Sequence, residues 1–277
     1  MRRLLGSLLV PAALLTPAPA APAEADRDRP GRGPAVVAHR GASADAPENT
    51  LAAADAALAQ RADEVEVDVQ RTADGHLVLV HDATLARTTD VERVFPARAL
   101  APVGSFTLDE LRRLDAGSWF SPAFAGERIP TLAEFAGRLD GRAGLLLELK
   151  DPALHPGIEE AVAGEPALAR AQAVVQSFDH DAVARYAGAA PGAPTGRLFG
   201  TRPTAAQLDD AAAAGIDQIN PSVDDVDAAL VAQVAARRMR TGVYTVNEPA
   251  DMRRLADAGV DRIITDRPAV LREVLGR

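Results

Sequence analysis

"DEVEVDVQRTADGHLVLVHD", residues 63–82, decides how the rest of the chain is read. Polar and apolar residues alternate from Glu64 to Val69, the period-2 pattern of a strand. A second strand-like apolar run, Leu77–Val80, follows. Only Arg71–His76 lie between them, too few residues for the crossover that parallel neighbours require. Asp74-Gly75 suits a two-residue hairpin turn, and with that pair at the tip Asp68 is expected opposite His81. A slip of one residue reverses every face.

Outward from this hairpin, apolar strand candidates alternate with helical patterns. The strands are Ala35–His39, Glu64–Val69, Leu145–Lys150, Ala173–Ser177, Thr195–Phe199, Ile216–Asn220, Gly242–Val246 and Arg262–Thr265. Alanine-rich stretches with helical spacing lie between most of them, among them Thr50–Ala59, Thr204–Ala214, Val226–Arg238 and Pro249–Ala258. A doubly wound open sheet would also alternate in this way. Strand count and single-domain length favour an α/β (β/α)8 TIM barrel, with a β-hairpin extension after its second strand. Thr88–Thr131, before the third barrel strand, reads as a lid-like insertion whose Trp119, Phe120 and Phe124 either anchor it or touch a lipid tail.

The N-terminus has another character. Arg2 and Arg3 precede a short apolar stretch, Leu4–Leu15, and small residues from Thr16 to Ala23. That order reads as a secretory signal over 1–23, and an apolar stretch of this length is too short to span a bilayer. The expected product is exported, without stable membrane insertion after cleavage. Residues 24–33 read as a flexible lead-in, and 34–277 as one catalytic domain. A net charge of −9 argues against nucleic acid as a partner. Cysteine is absent, so neither a disulfide nor a thiolate metal site is available.

Chemistry gathers at strand ends. Glu66 and Asp68 are two apart on one strand and share a face, as do Glu148 and Lys150 on another. His39 and Arg40 end the first strand. A barrel collects its active site at the C-terminal ends of its strands, so these side chains and His81 are expected on one rim. Three crowded carboxylates need a cation. One hard divalent ion, Ca2+ or Mg2+, suits their oxygens and leaves positions for water and a substrate oxygen. Two histidines beside it suit general acid and base roles, although a metal-ligand or core role is open to either. Arg40 and Lys150 suit phosphate oxygens. His76, His155 and His180 read as surface residues, and Glu48 as a residue that orients the first strand end or favours its helix N-terminus.

Several blocks, in order, resemble the glycerophosphodiester phosphodiesterase family: "AHRGASADAPENT", "VEVDVQRTADGHLVLVHDATLARTT", "GERIPTLAEF", "LLLELK", "SFDHDAV", "YTVN" and "GVDRIITDRP". The likeness runs from about Val36 to Pro268. It implies hydrolysis of a small glycerophosphodiester to glycerol 3-phosphate and an alcohol on a barrel with a divalent cation. It implies His39 and His81 as the acid/base pair, Glu66, Asp68 and Glu148 as metal ligands, and Arg40 and Lys150 as phosphate contacts. Tyr244 departs from the tryptophan the family often carries before Thr-Val-Asn. A phospholipase D-like enzyme acting on lysophospholipids or sphingomyelin is the second expectation, and an inert binding module on a barrel scaffold the third.

Overall fold

The structure, a computed structural model, describes residues 33–277. The expected signal at 1–23 lies outside them, as does the lead-in at 24–33 apart from Gly33. The strands are β1 (Ala35–Ala38), β2 (Glu64–Arg71), β3 (Leu77–Leu79), β4 (Gly144–Leu149), β5 (Ala173–Ser177), β6 (Thr195–Phe199), β7 (Gln218–Pro221), β8 (Arg240–Val243) and β9 (Arg262–Thr265). All but β3 are parallel, and β1 pairs with both β2 and β9, so eight strands close into a barrel. The outer helices are α1 (Leu51–Ala59), α2 (Leu132–Leu139), α3 (Ile158–Ala163), α4 (His180–Ala189), α5 (Ala205–Ala213), α6 (Ala228–Ala235), α7 (Pro249–Ala258) and α8 (Pro268–Val274). Among the described residues no helix is long and apolar enough to cross a membrane.

Alternation explains the layering. On β2, Val65, Val67 and Val69 face outward and share one apolar core with Ala54 and Ala57 of α1 and Leu132 and Phe135 of α2. Leu145, Leu147 and Leu149 of β4 join it. The intervening residues, Glu66, Asp68 and Glu148, are therefore turned inward. Beneath them Val37, Leu146 and Ile264 fill part of the bore. Its other half is polar, with Gln176, Gln218 and Asn220 buried and joined through their amides. Gly242 makes room for them, since a Cβ there would lie 2.4 Å from Asn220 Oδ1. Helix starts follow their sequence signals. Thr131/Glu134 and Thr204/Gln207 form reciprocal capping boxes, and Thr50, Asp179 and Asp227 cap α1, α4 and α6.

Three expectations are corrected. Two strands sit two residues from their expected places: Ile216 still hydrogen-bonds to Ala211 at the end of α5, so β7 begins at Gln218, and β8 begins at Arg240. The hairpin register is shifted by one, with Val69 opposite Leu79 and Arg71 opposite Leu77. Thr72 N–H bonds to His76 O and Gly75 N–H to Thr72 O, so the loop has one residue more than expected and ends on Gly75 at φ +92°. Asp68 therefore faces Val80, whose N–H donates to Asp68 O at 3.0 Å, and not His81. The insertion is packed, not lid-like. Its Val91, Val103, Phe106, Leu111 and Leu114 form a buried core with Val78 and Val80 of the hairpin. Trp119 donates to Ala116 O and stacks edge-on with Phe120, which stacks with Phe124.

Candidate active site

The tip of β1 is a tight turn. Arg40 has φ +57° and Gly41 φ +85°. A Cβ on Gly41 would fall 2.5 Å from that of Ala53 on α1, so only glycine lets the turn lie on the helix. Arg40 N–H then reaches Glu66 Oε2 at 2.9 Å, while its guanidinium donates to Glu48 at 3.0 Å. Its Nε lies 3.3 Å from Asp68 Oδ2 in an ion contact lacking hydrogen-bond geometry.

Glu66, Asp68 and Glu148 bring one carboxylate oxygen each within 4.8 Å of one another. The parallel register of β2 and β4, with Asp68 beside Glu148, does this. All three are buried, and Asp68 Oδ1 makes no hydrogen bond. Burial first, then the charges of Asp68 and Glu148, raises Glu66 well above the ordinary carboxylate range. Burial and Asp68 likewise push Glu148 up to about 7, although Lys150 Nζ at 2.9 Å opposes them. Lys150 also lies 3.9 Å from Asp68 Oδ1. Three buried, crowded carboxylates, one with an orphaned oxygen, could hold a hard cation. All-oxygen donors match Ca2+ or Mg2+.

Each rim histidine is backed by a carboxylate. His39 Nδ1 is 2.6 Å from Asp266 Oδ1, and its Nε2 stands 4.0 Å from Glu66. Burial favours the neutral form of Asp266, but hydrogen bonds from His39, Asn247 and Ser43 outweigh it and bring the carboxyl down to about 2. His81 Nδ1 is 2.7 Å from Asp82 Oδ1. Arg87 holds Asp82 at 2.6 Å and Glu48 at 2.8 Å, and is the chief reason Asp82 falls to about 2. Burial lowers the His81 pKa, and Arg40 and Lys150 press the same way against Asp68. The structure thus brings all seven expected site residues to one end of the barrel.

Other members of the site had escaped the sequence. Asn49 donates to Asp68 Oδ2 at 2.8 Å and accepts from Asp68 N–H at 3.2 Å, from a left-handed backbone (φ +57°) that asparagine tolerates. Its place in Pro-Glu-Asn-Thr was the available signal. Asp266 and Asn247 lie far along the chain from His39 and gave none. His155, expected at the surface, is buried against Gln70, with Nε2 3.1 Å from Gln70 Oε1. Beside Glu148 and Lys150 opens a cavity of about 600 Å3, bounded by Asp151, Leu154, Phe178 and Asp179. Phe178 stacks edge-on with Tyr244, whose hydroxyl donates to Phe199 O at 2.9 Å.

A closed barrel with a buried carboxylate trio, two carboxylate-backed imidazoles and two cations on one rim defines a hydrolase-type site for an anionic substrate. Residues 39–270 match the model of the glycerophosphoryl diester phosphodiesterase family. A Caldanaerobacter subterraneus glycerophosphodiester phosphodiesterase is 37% identical, over 85% of this chain and 95% of its own. One from Bacillus subtilis is 30% identical, over 86% and 85%. An Oleispira antarctica phosphodiesterase solved with its product sn-glycerol-3-phosphate superposes with a TM-score of 0.79 at 28% identity, covering 88% of this chain and 98% of that one. The chain belongs to the glycerophosphoryl diester phosphodiesterase family and is a phosphodiester hydrolase.

Proposed function

We propose that this enzyme hydrolyses glycerophosphodiesters to glycerol 3-phosphate and an alcohol, with Glu66, Asp68 and Glu148 holding one divalent cation, Ca2+ or Mg2+. The observation that carries this reading is the trio itself: three buried carboxylates with oxygens within 4.8 Å, and Asp68 Oδ1 without a hydrogen bond. When bound, the cation supplies Lewis-acid polarisation of the phosphate. Arg40 and Lys150 hold phosphate oxygens and offset developing negative charge. His39 is the general base. It donates Nδ1–H to Asp266, which keeps Nε2 free to take a proton from the attacking group. That group is either the neighbouring glycerol hydroxyl, on the way to a cyclic phosphate that water opens, or water itself. Among the described residues no arginine competes for Asp266. His81 is the general acid. Its carboxylate partner is shared with Arg87, and burial makes its imidazolium a better proton donor. Its proton goes to the departing alcohol oxygen as the P–O bond breaks. The signal at 1–23 exports the enzyme.

The alcohol arm lies in the cavity beside Lys150. Leu154 and Phe178 are both largely exposed on its wall, which favours, as a second reading, a lysophospholipid bound the other way round with its acylated glycerol in this cavity. The test is release of glycerol 3-phosphate from glycerophosphocholine and glycerophosphoglycerol, and of choline with lysophosphatidic acid from lysophosphatidylcholine, with chelator and with each ion restored. Chelation is expected to abolish turnover, and His39→Ala or His81→Ala to cost roughly 10²-fold or more at intact folding. Activity indifferent to chelation, or near-normal histidine variants, would overturn the assignment. Preference for lysophosphatidylcholine would select the second reading.

A further inference from the structure

Gln70 follows Glu66 and Asp68 on the inward face of β2, one step beyond the point where β2 still pairs with β4 at Val69. It is fully buried. Its amide nitrogen donates to Val80 O at 2.9 Å and to Asp82 O at 2.7 Å. These carbonyls flank His81. Carbonyl oxygens only accept, so the NH2 group must face them and Oε1 must face the other way. There it meets His155 Nε2 at 3.1 Å, which therefore carries a hydrogen and donates. His155 is buried, on the loop joining β4 to α3, next to Leu154 on the cavity wall.

The hairpin register makes this clamp necessary. β3 ends at Leu79 and Val80 opposes Asp68, so a straight continuation of the ladder would carry the His81 side chain to the outer face. The chain must leave the ladder immediately after Val80, and Gln70 satisfies the carbonyls on both sides of the departure. We propose that Gln70 is a positioning residue for His81, and that His155 fixes the direction of the Gln70 amide. The inference rests on the assignment of His81 as general acid.

The test compares two diesters. Glycerophosphocholine needs its leaving oxygen protonated, whereas bis(p-nitrophenyl) phosphate, with a stable aryl oxide leaving group, does not. Gln70→Met removes the donors at nearly constant volume. It is expected to lower kcat on glycerophosphocholine about 30-fold with KM unchanged, and to leave the aryl diester within about threefold of wild type. His155→Met is expected to reproduce the pattern. His155→Gln, which keeps a donor near the Nε2 position, is expected to restore kcat. Equal losses on both substrates, a change confined to KM, or no loss would overturn the proposal, as would His155→Gln behaving like His155→Met. If Gln70→Met does not fold, the two His155 variants decide alone. Wild-type enzyme that cleaves the aryl diester but no glycerophosphodiester would instead overturn the substrate reading on which the proposal rests.

Discussion

Glu148 shows what a single buried carboxylate does to the protein around it. Its pKa rises from an ordinary 4.5 to about 7 in the fold, so the folded state binds the proton more tightly than the unfolded chain does. The stabilisation is complete below the unfolded value and is lost as pH rises through the folded one. The chelated enzyme is therefore expected to lose thermal stability, relative to Glu148→Gln, between about pH 4.5 and about pH 7. Added Ca2+ or Mg2+ should restore it most above that range. Melting temperatures of both proteins that run parallel across the window would contradict this. Glu66, Asp68, Glu148 and Lys150 were legible in the sequence because a strand's period of two forces alternate residues onto one face. His155 and Asp266 were not. Their partners lie 85 and 227 residues away, and nothing local marks such contacts.

At the scale of elements, the turn from β1 into α1 is the least tolerant join. Gly41→Ala is expected to cost roughly 1–3 kcal/mol by overpacking against Ala53, and to lower activity because Arg40 and His39 sit on the displaced turn. Thermal melts and turnover measured together would check it, and a fully active, fully stable variant would refute it. Element types were readable from apolar periodicity, and most borders fell within two residues. The hairpin was the instructive miss. Asp74-Gly75 marked the turn correctly, but a glycine with positive φ can close either a two-residue or a three-residue loop, and the choice moves the register by one. His81 still lies at the rim, because the chain bends away from the ladder beside Gln70.

Across the whole molecule, closure of the barrel depends on its far end. Arg262, buried at the start of β9, pairs with Glu64 at the start of β2 through contacts of 2.9 and 3.0 Å. Glu64→Gln should cost about 3–5 kcal/mol by stranding a buried guanidinium, whereas Glu64→Leu with Arg262→Met should be nearly neutral. Neither is expected to alter kcat, since both sites lie opposite the rim. Denaturant unfolding with parallel kinetics checks both, and a strong loss of kcat in the double variant would contradict the separation. The polar bore of Gln176, Gln218 and Asn220 was invisible beforehand, because isolated amides in strands look the same whether they face water or one another.

The bond between His39 and Asp266 has a temporal side. The imidazole is made 227 residues ahead of its carboxylate, so a ribosome must complete every strand of the barrel before the pair can exist. With His39 in the role proposed above, hydrolysis is expected to report that β9 has docked, and an unclosed polypeptide is expected to be silent.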